Sequence, residues 1–253
     1  MRRAAFFGSN LVAGTDLHDP ADRFSSLVAS ILGWDEVNLG QSGSRLTGRS
    51  LDGQAVDPAS GVGRAHDVMR AFPDVAVMMF GEEDYAAGTL TGERRMGLGF
   101  DSVATPAVRH ERRHLVRRPS PSTAVQEKPS KPQGAVIGSL TRGAIAGPGT
   151  FAGDLDYLLS TFERSMPSAR IFVVSPPYRP GVDEPNAVGL KLLDYGDAAR
   201  SVARRHEVPY VDVYRDSTIQ PANFSALSDD GCVLNARGHQ HLAAFLIEGL
   251  LAR

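Results

Sequence analysis

Short apolar runs closed by glycine or serine alternate along this chain with segments whose apolar residues recur every three or four positions. Ala4-Ala-Phe-Phe7, closed by Gly8, has no polar face, the pattern of a strand buried on both sides of a sheet. Pro20–Trp34 places Phe24, Leu27, Val28, Ile31 and Leu32 at helical spacing, with Asp19 as N-cap and Gly33 near the end. Glu36–Leu39 runs into a Gly/Ser loop, Gly40-Gln-Ser-Gly43, and a helix over Gly63–Phe72 precedes the strongest strand signal, Asp74–Phe80. That run stops at Gly81-Glu-Glu-Asp84. Further on, the pattern predicts a helix over Gly153–Met166 and a strand over Arg170–Val174. A long helix over Asn186–His206, a strand over Tyr210–Tyr214 and a closing helix over Ala236–Leu251 follow. Five strands alternating with helices imply an α/β fold with a parallel sheet and right-handed crossovers. In such sheets the functional groups lie on loops beyond the carboxyl ends of strands. Here those loops begin at Gly8, Gly40, Gly81, Ser175 and after Tyr214.

The stretch from about 86 to 150 breaks the pattern. It holds ten Lys and Arg residues against four acids, so it carries +6, while the whole chain is −2 and the remainder −8. Pro119–Pro132, rich in Pro, Ser and Lys, reads as a mobile loop. The expectation is one α/β domain over residues 1–253 with a basic, partly flexible insertion.

Composition narrows the function classes. At 253 residues a single domain can bury a large core. A net charge of −2 argues against nucleic acid as the main partner, because neutralising phosphates needs a basic excess. The single cysteine, Cys232, excludes an intramolecular disulfide and a multi-cysteine metal site. The longest apolar runs are too short to span a bilayer, and Met1-Arg-Arg precedes only four apolar residues, which is no secretory segment. A cytoplasmic protein without cofactor or membrane partner is expected.

Four loop sequences carry a resemblance. They are Phe7-Gly-Ser-Asn-Leu-Val-Ala-Gly14, Asn38-Leu-Gly40 with Gly43, Phe80-Gly-Glu-Glu-Asp84, and Asp230-Gly-Cys-Val-Leu-Asn235 with Gly238-His239. In order and setting they resemble the four blocks of the SGNH (GDSL) hydrolase superfamily. The resemblance implies a three-layer, flavodoxin-like fold with a five-stranded parallel sheet and helices on both faces. It also implies roles: a nucleophilic Ser in the first block, a Gly amide and an Asn as oxyanion donors, and an Asp and a His completing a triad. In this sequence the nucleophile falls on Asn10, the Asp before it on Ser9, the oxyanion Asn on Glu83 and the His on Val233. Gly40 and Asp230 match the family pattern. The catalytic set is thus degenerate.

These replacements disable ester hydrolysis by the family route. An amide nitrogen is a poor nucleophile, valine accepts no proton, and an ionised Glu83 repels an oxyanion. A relocated nucleophile at Ser9 is an alternative, and the bases open to it are His18, His110, His114, His239 and His241. His239 reads as a capping or packing residue of the closing helix. Cys232 can be paired with Asp229 but reads better as a small buried hydrophobe.

The polar residues left at the loop ends suggest other chemistry. Asp230, Glu83, Asn10 and Ser9 are the catalytic candidates, with Gly40, Ser42, Asp84 and Asp229 as substrate-binding candidates. Asp84 also reads as a residue that bonds loop amides. Glu83 and Asp230, close together, are expected to raise one another's pKa and make a proton acceptor. Such a site favours a substrate ammonium over a metal, since no histidine joins it at ligand spacing. The insertion's arginines suit an anionic group. The expected substrate is therefore a small molecule bearing an amine and an anionic group, undergoing intramolecular displacement or elimination in bacterial specialised metabolism. An esterase using Ser9 remains open, as does an inactive binding subunit that grips a partner enzyme or a second copy through the insertion.

Overall fold

The structure, a computed structural model, describes residues 1–92 and 146–252. The mobile loop expected at Pro119–Pro132, the ten basic residues of the insertion, His110 and His114 lie outside the described residues. Five strands pair in parallel in the order β2-β1-β3-β4-β5, the doubly wound arrangement expected. They are β1 (Arg3–Gly8), β2 (Asp35–Gly40), β3 (Val75–Met79), β4 (Arg170–Val174) and β5 (Tyr210–Val211). Between and after them come α1 (Asn10–Ala13), α2 (Phe24–Leu32), α3 (Ala65–Arg70) and α4 (Glu82–Ala86). The second half adds α5 (Phe151–Ser165), α6 (Leu192–Arg205), α7 (Val213–Asp216) and α8 (Ala236–Leu251).

Alternate strand residues feed two cores. Ala5, Phe7, Ala76, Met78, Ile171 and Val173 face α3, α5 and α6. Ala4, Phe6, Val75, Val77, Phe172 and Val174 face α2 and α8. Both faces of the central strands are covered, which is why their sequences run apolar without alternation. β2 is an edge strand and only half-buried, matching its more polar sequence.

The element bounds differ from the pattern in two places that matter. The fifth strand ends at Val211 because Asp212 turns the chain, its carboxylate accepting from Arg215 N at 3.1 Å as the N-cap of α7. The sixth helix begins at Leu192, not Asn186. Asn186 instead uses Oδ1 to accept from Val188 N and Leu190 N, and Gly189 takes φ +75. Asp19 caps a short 3-10 turn at Pro20–Asp22, and Gly33 ends α2 with φ +64. Among the described residues no helix is long and apolar enough to cross a membrane.

Candidate functional site

The carboxyl ends of β1, β2 and β3 bring the first three loops together. Ser9 follows β1 and Asn10 opens α1. α1 packs against the end of β2, and a Cβ at Gly40 would lie 2.2 Å from Ala13 N, so that approach requires glycine. After β3, Gly81 takes φ +124 and turns the chain into α4, which starts at Glu82.

Asn10 is held from both ends of its amide. Its Nδ2 donates to Glu83 Oε1 at 2.5 Å, and its Oδ1 accepts from Ser42 Oγ and Gly43 N, both at 2.7 Å. The amide orientation is forced, because a backbone N–H can only donate and an ionised carboxylate can only accept. The side chain that the resemblance sets at the nucleophile position therefore occupies an amide of the second loop. That amide is Gly43's. Gly40, expected to bind substrate, spends its own N–H on Asn38 Oδ1 at 2.9 Å, a correction to its assigned role. Ser42 is exposed and held on Asn10.

Two of the substrate-binding candidates bond the protein itself, Asp84 in keeping with its reading as a residue that bonds loop amides. Asp84 is fully buried and accepts from Leu46 N (2.8 Å), Thr47 N (3.1 Å) and Thr47 Oγ1 (2.7 Å). Burial pushes its carboxyl above the ordinary range, and the three donated bonds oppose that rise. It clamps a loop. Asp229 is exposed and accepts from Asn235 Nδ2 at 2.7 Å.

Asp230 also departs from expectation. It is exposed, and its Oδ1 accepts from Cys232 N at 2.7 Å, Val233 N at 2.9 Å and Ser228 Oγ at 3.1 Å. These bonds, the Val233 and Cys232 amides foremost, hold its pKa below the usual value, opposite to the rise expected of a like-charge pair. The carboxylate stiffens its own turn. Ser9 is buried, and among the described residues no side chain is hydrogen-bonded to its Oγ, so no base activates it.

A pocket does form among these loops, with a cavity of about 30 Å³. Asn10, Gly14, Glu82, Arg179, Cys232, Val233 and His239 are among its walls, together with Tyr178 and Asp16. The acids on it are thus Glu82 and Asp16, not Glu83 and Asp230. Glu83 reaches it only through Asn10. Burial pushes the Glu82 carboxyl above the usual carboxylate range; Arg179 opposes this and neighbouring Glu83 adds to it. Arg179 Nε lies 3.0 Å from Glu82 Oε1, but off hydrogen-bond geometry, so this N–H has no acceptor.

Sequence reading missed Glu82 and Arg179 as site residues. Glu82 and Glu83 are adjacent in one helical turn, so their side chains diverge by about 100°. Only the three-dimensional setting says which one meets the pocket. Arg179 follows Ser175-Pro-Pro177 after β4, a loop at a carboxyl strand end, and that position was its one available signal. Cys232, read as buried, is exposed beside the pocket. His239 is buried as expected, yet it also forms part of the pocket wall.

The GDSL-like Lipase/Acylhydrolase family model matches residues 6–241, and the chain belongs to this family. No curated protein matches it. Among solved structures, a protein from Lactobacillus plantarum is 18% identical, with TM-score 0.67, covering 100% of this chain and 97% of its own. The lipase/acylhydrolase from Enterococcus faecalis is also 18% identical, with TM-score 0.58 and coverage of 100% and 97%. A carbohydrate acetylesterase family member from Sinorhizobium meliloti is 15% identical, with TM-score 0.55 and coverage of 100% and 98%. At these identities the likeness is one of fold.

Proposed function

We propose that this chain is a non-hydrolytic enzyme on the GDSL scaffold, with Glu82 as proton acceptor for a small substrate bearing an ammonium and an anionic group. The observation that carries the reading is Glu82 itself: a carboxylate on the pocket wall, raised by burial, beside a guanidinium whose N–H lacks an acceptor. A raised pKa makes it a stronger base while ionised near neutrality. Glu82 takes a proton from the substrate ammonium, and the freed nitrogen lone pair forms a bond to a carbon of the same molecule. The carbon–oxygen bond there breaks, and its electron pair leaves with the anionic group. Arg179 stabilises the charge gathering on that group. The bonds that hold Asn10 to Glu83, Ser42 and Gly43, with Val233 where the resemblance sets the histidine, support a route without an acyl-enzyme.

Serine O-sulfate and O-phosphoserine are suitable probe substrates. Release of inorganic sulfate or phosphate is expected without incorporation of oxygen from labelled water. The rate should rise with pH through a value above the ordinary carboxylate range, and Glu82→Gln should lower it by a hundredfold or more. Ester turnover that Ser9→Ala abolishes, with fluorophosphonate labelling of Ser9, would overturn the reading in favour of a hydrolase. The small cavity favours a second reading, a binding subunit without turnover. Release of neither anion, together with a stable complex with a partner enzyme, would support it.

A further inference from the structure

His239 sits in the first turns of α8, 2% exposed, stacked on Phe24 at 5.9 Å between ring centroids. Its Nδ1 accepts from Phe24 N at 3.1 Å. A backbone N–H cannot accept, so Nδ1 carries no proton. Burial, with Arg23 adding to it, brings the ring's pKa down to about 4, so the imidazole is neutral near pH 7. Its one proton then resides on Nε2. Nε2 has no hydrogen-bond partner among the described residues, and His239 forms part of the pocket wall. This fixed tautomer cannot serve as a triad base, because its basic nitrogen, Nδ1, is taken up by Phe24 N.

The surroundings carry both signs of charge, Glu82 and Asp16 on the pocket wall against Arg179 and the nearby Arg23. Arg23 immediately precedes Phe24, and its Nε is buried without an acceptor, as is that of Arg179. Arg23 lies against Gly14, another wall residue, where a Cβ would come within 2.6 Å of Arg23 Cγ. With φ +61, Gly14 both permits the turn after α1 and leaves room for this arginine.

We infer that the pocket wall formed by Gly14 and His239 is an oxyanion subsite, with the His239 Nε2–H donating to a ligand oxygen and Arg23 and Arg179 supplying the favourable charge. The ligand class is a small carboxylate, sulfate or phosphate group. The inference rests on reading the pocket as a small-substrate site. Its test reads binding rather than turnover, so its failure is separable from that of the proton-transfer reading.

Cys232 makes the test residue-specific, being the chain's single cysteine, exposed and on the same wall. Its alkylation by iodoacetamide is timed with sulfate or formate against chloride at equal ionic strength. Either oxyanion should slow it at least fivefold at millimolar concentration, and the imidazole Nε2–H resonance should shift downfield over the same range. Two substitutions separate the ring's roles. In His239→Asn the side-chain oxygen can still accept from Phe24 N but the pocket donor is gone, so protection should weaken tenfold or more. In His239→Gln the amide nitrogen replaces the Nε2 donor, and protection should largely return. Unchanged alkylation with both ions overturns the inference. So does equal protection in a folded His239→Asn variant, or protection of the wild type with no Nε2–H shift. The last measurement decides the matter even if neither variant folds.

Discussion

Hydrogen bonding and burial set the protonation of three side chains at these loops in different directions. Asp230 accepts two backbone N–H bonds and is stabilised as the anion, Glu82 is desolvated and pushed toward the acid, and His239 is held neutral. His239 has a consequence for stability. Its folded pKa of about 4 lies below the ordinary 6.5, so between these values the unfolded chain binds a proton that the native chain does not. Stability therefore falls as pH drops from about 6.5 to about 4, by on the order of 3 kcal/mol in total. Arg23 is the charge that acts on the ring, and Arg179, Glu82 and Asp16 line the same pocket. Urea unfolding at pH 7 and pH 4.5 should show this loss in the wild type and a smaller one in His239→Asn, whose side chain does not titrate. An equal loss in both would place the acid sensitivity elsewhere. That Asn10 and Val233 stand where a Ser and a His are expected rests on the resemblance of the first and fourth loop sequences to the family's blocks. The direction in which Glu82, Glu83 and Asp230 point was not legible in the sequence, since a one-residue difference on a turn redirects a carboxylate from cavity to backbone.

At the scale of elements, buried carboxylates hold together loops that the sheet alone does not order. Asp84 in α4 takes the amides of Leu46 and Thr47, and Asp154 in α5 takes those of Gly48 and Arg49. Arg49 completes the second clamp with Nε at 2.7 Å from Asp154 Oδ1. The segment from Leu46 to Arg49 is thereby fixed to two helices, and with it the Gly/Ser loop that presents Gly43 to Asn10. Asp84→Ala would strand two amides and a hydroxyl in a dry interior, a loss on the order of 3 kcal/mol. Asp84→Asn should cost a similar amount, because its NH₂ would oppose a donor whichever way the amide is turned. Chemical denaturation of both variants checks this, and an Asn variant as stable as wild type would show that the clamp needs no carboxylate. The central strands β1, β3 and β4 were legible because both of their faces are apolar. The clamps were not, because an aspartate after a glycine reads alike whether it serves a substrate or a distant amide. The shortened β5 and the late start of α6 have the same origin, side chains of Asp212 and Asn186 that bond nearby backbone amides.

For the whole molecule, the question is whether the α/β unit depends on the segment that interrupts it. Gly92 and Ala146, the described residues flanking that segment, are neighbours: a Cβ on Gly92 would come within 2.4 Å of the Ala146 Cβ. Just inside them, Phe151 N donates to Leu90 O at 2.8 Å and Ala152 N to Thr91 O at 3.0 Å, closing the base of the interruption. Thr150 caps α5 through Gly153 N at 3.2 Å, so the cap of this helix is made within the described residues. Among the described residues, two cores, a five-strand ladder and a pocket wall are already assembled on either side of it. The neutrality of the full chain, −2, conceals ten basic residues against four acids in 93–145 and a remainder of −8. Replacing residues 93–145 with a three-glycine linker should therefore leave a folded protein, more acidic in isoelectric focusing, with a melting temperature within about 5 °C of the full chain. Its α/β circular dichroism should persist, and so should the oxyanion protection of Cys232. A deletion variant that fails to fold would mean that the segment completes the core. A folded variant that loses Cys232 protection would instead mean that the segment's arginines, and not His239 and Arg23, hold the anion.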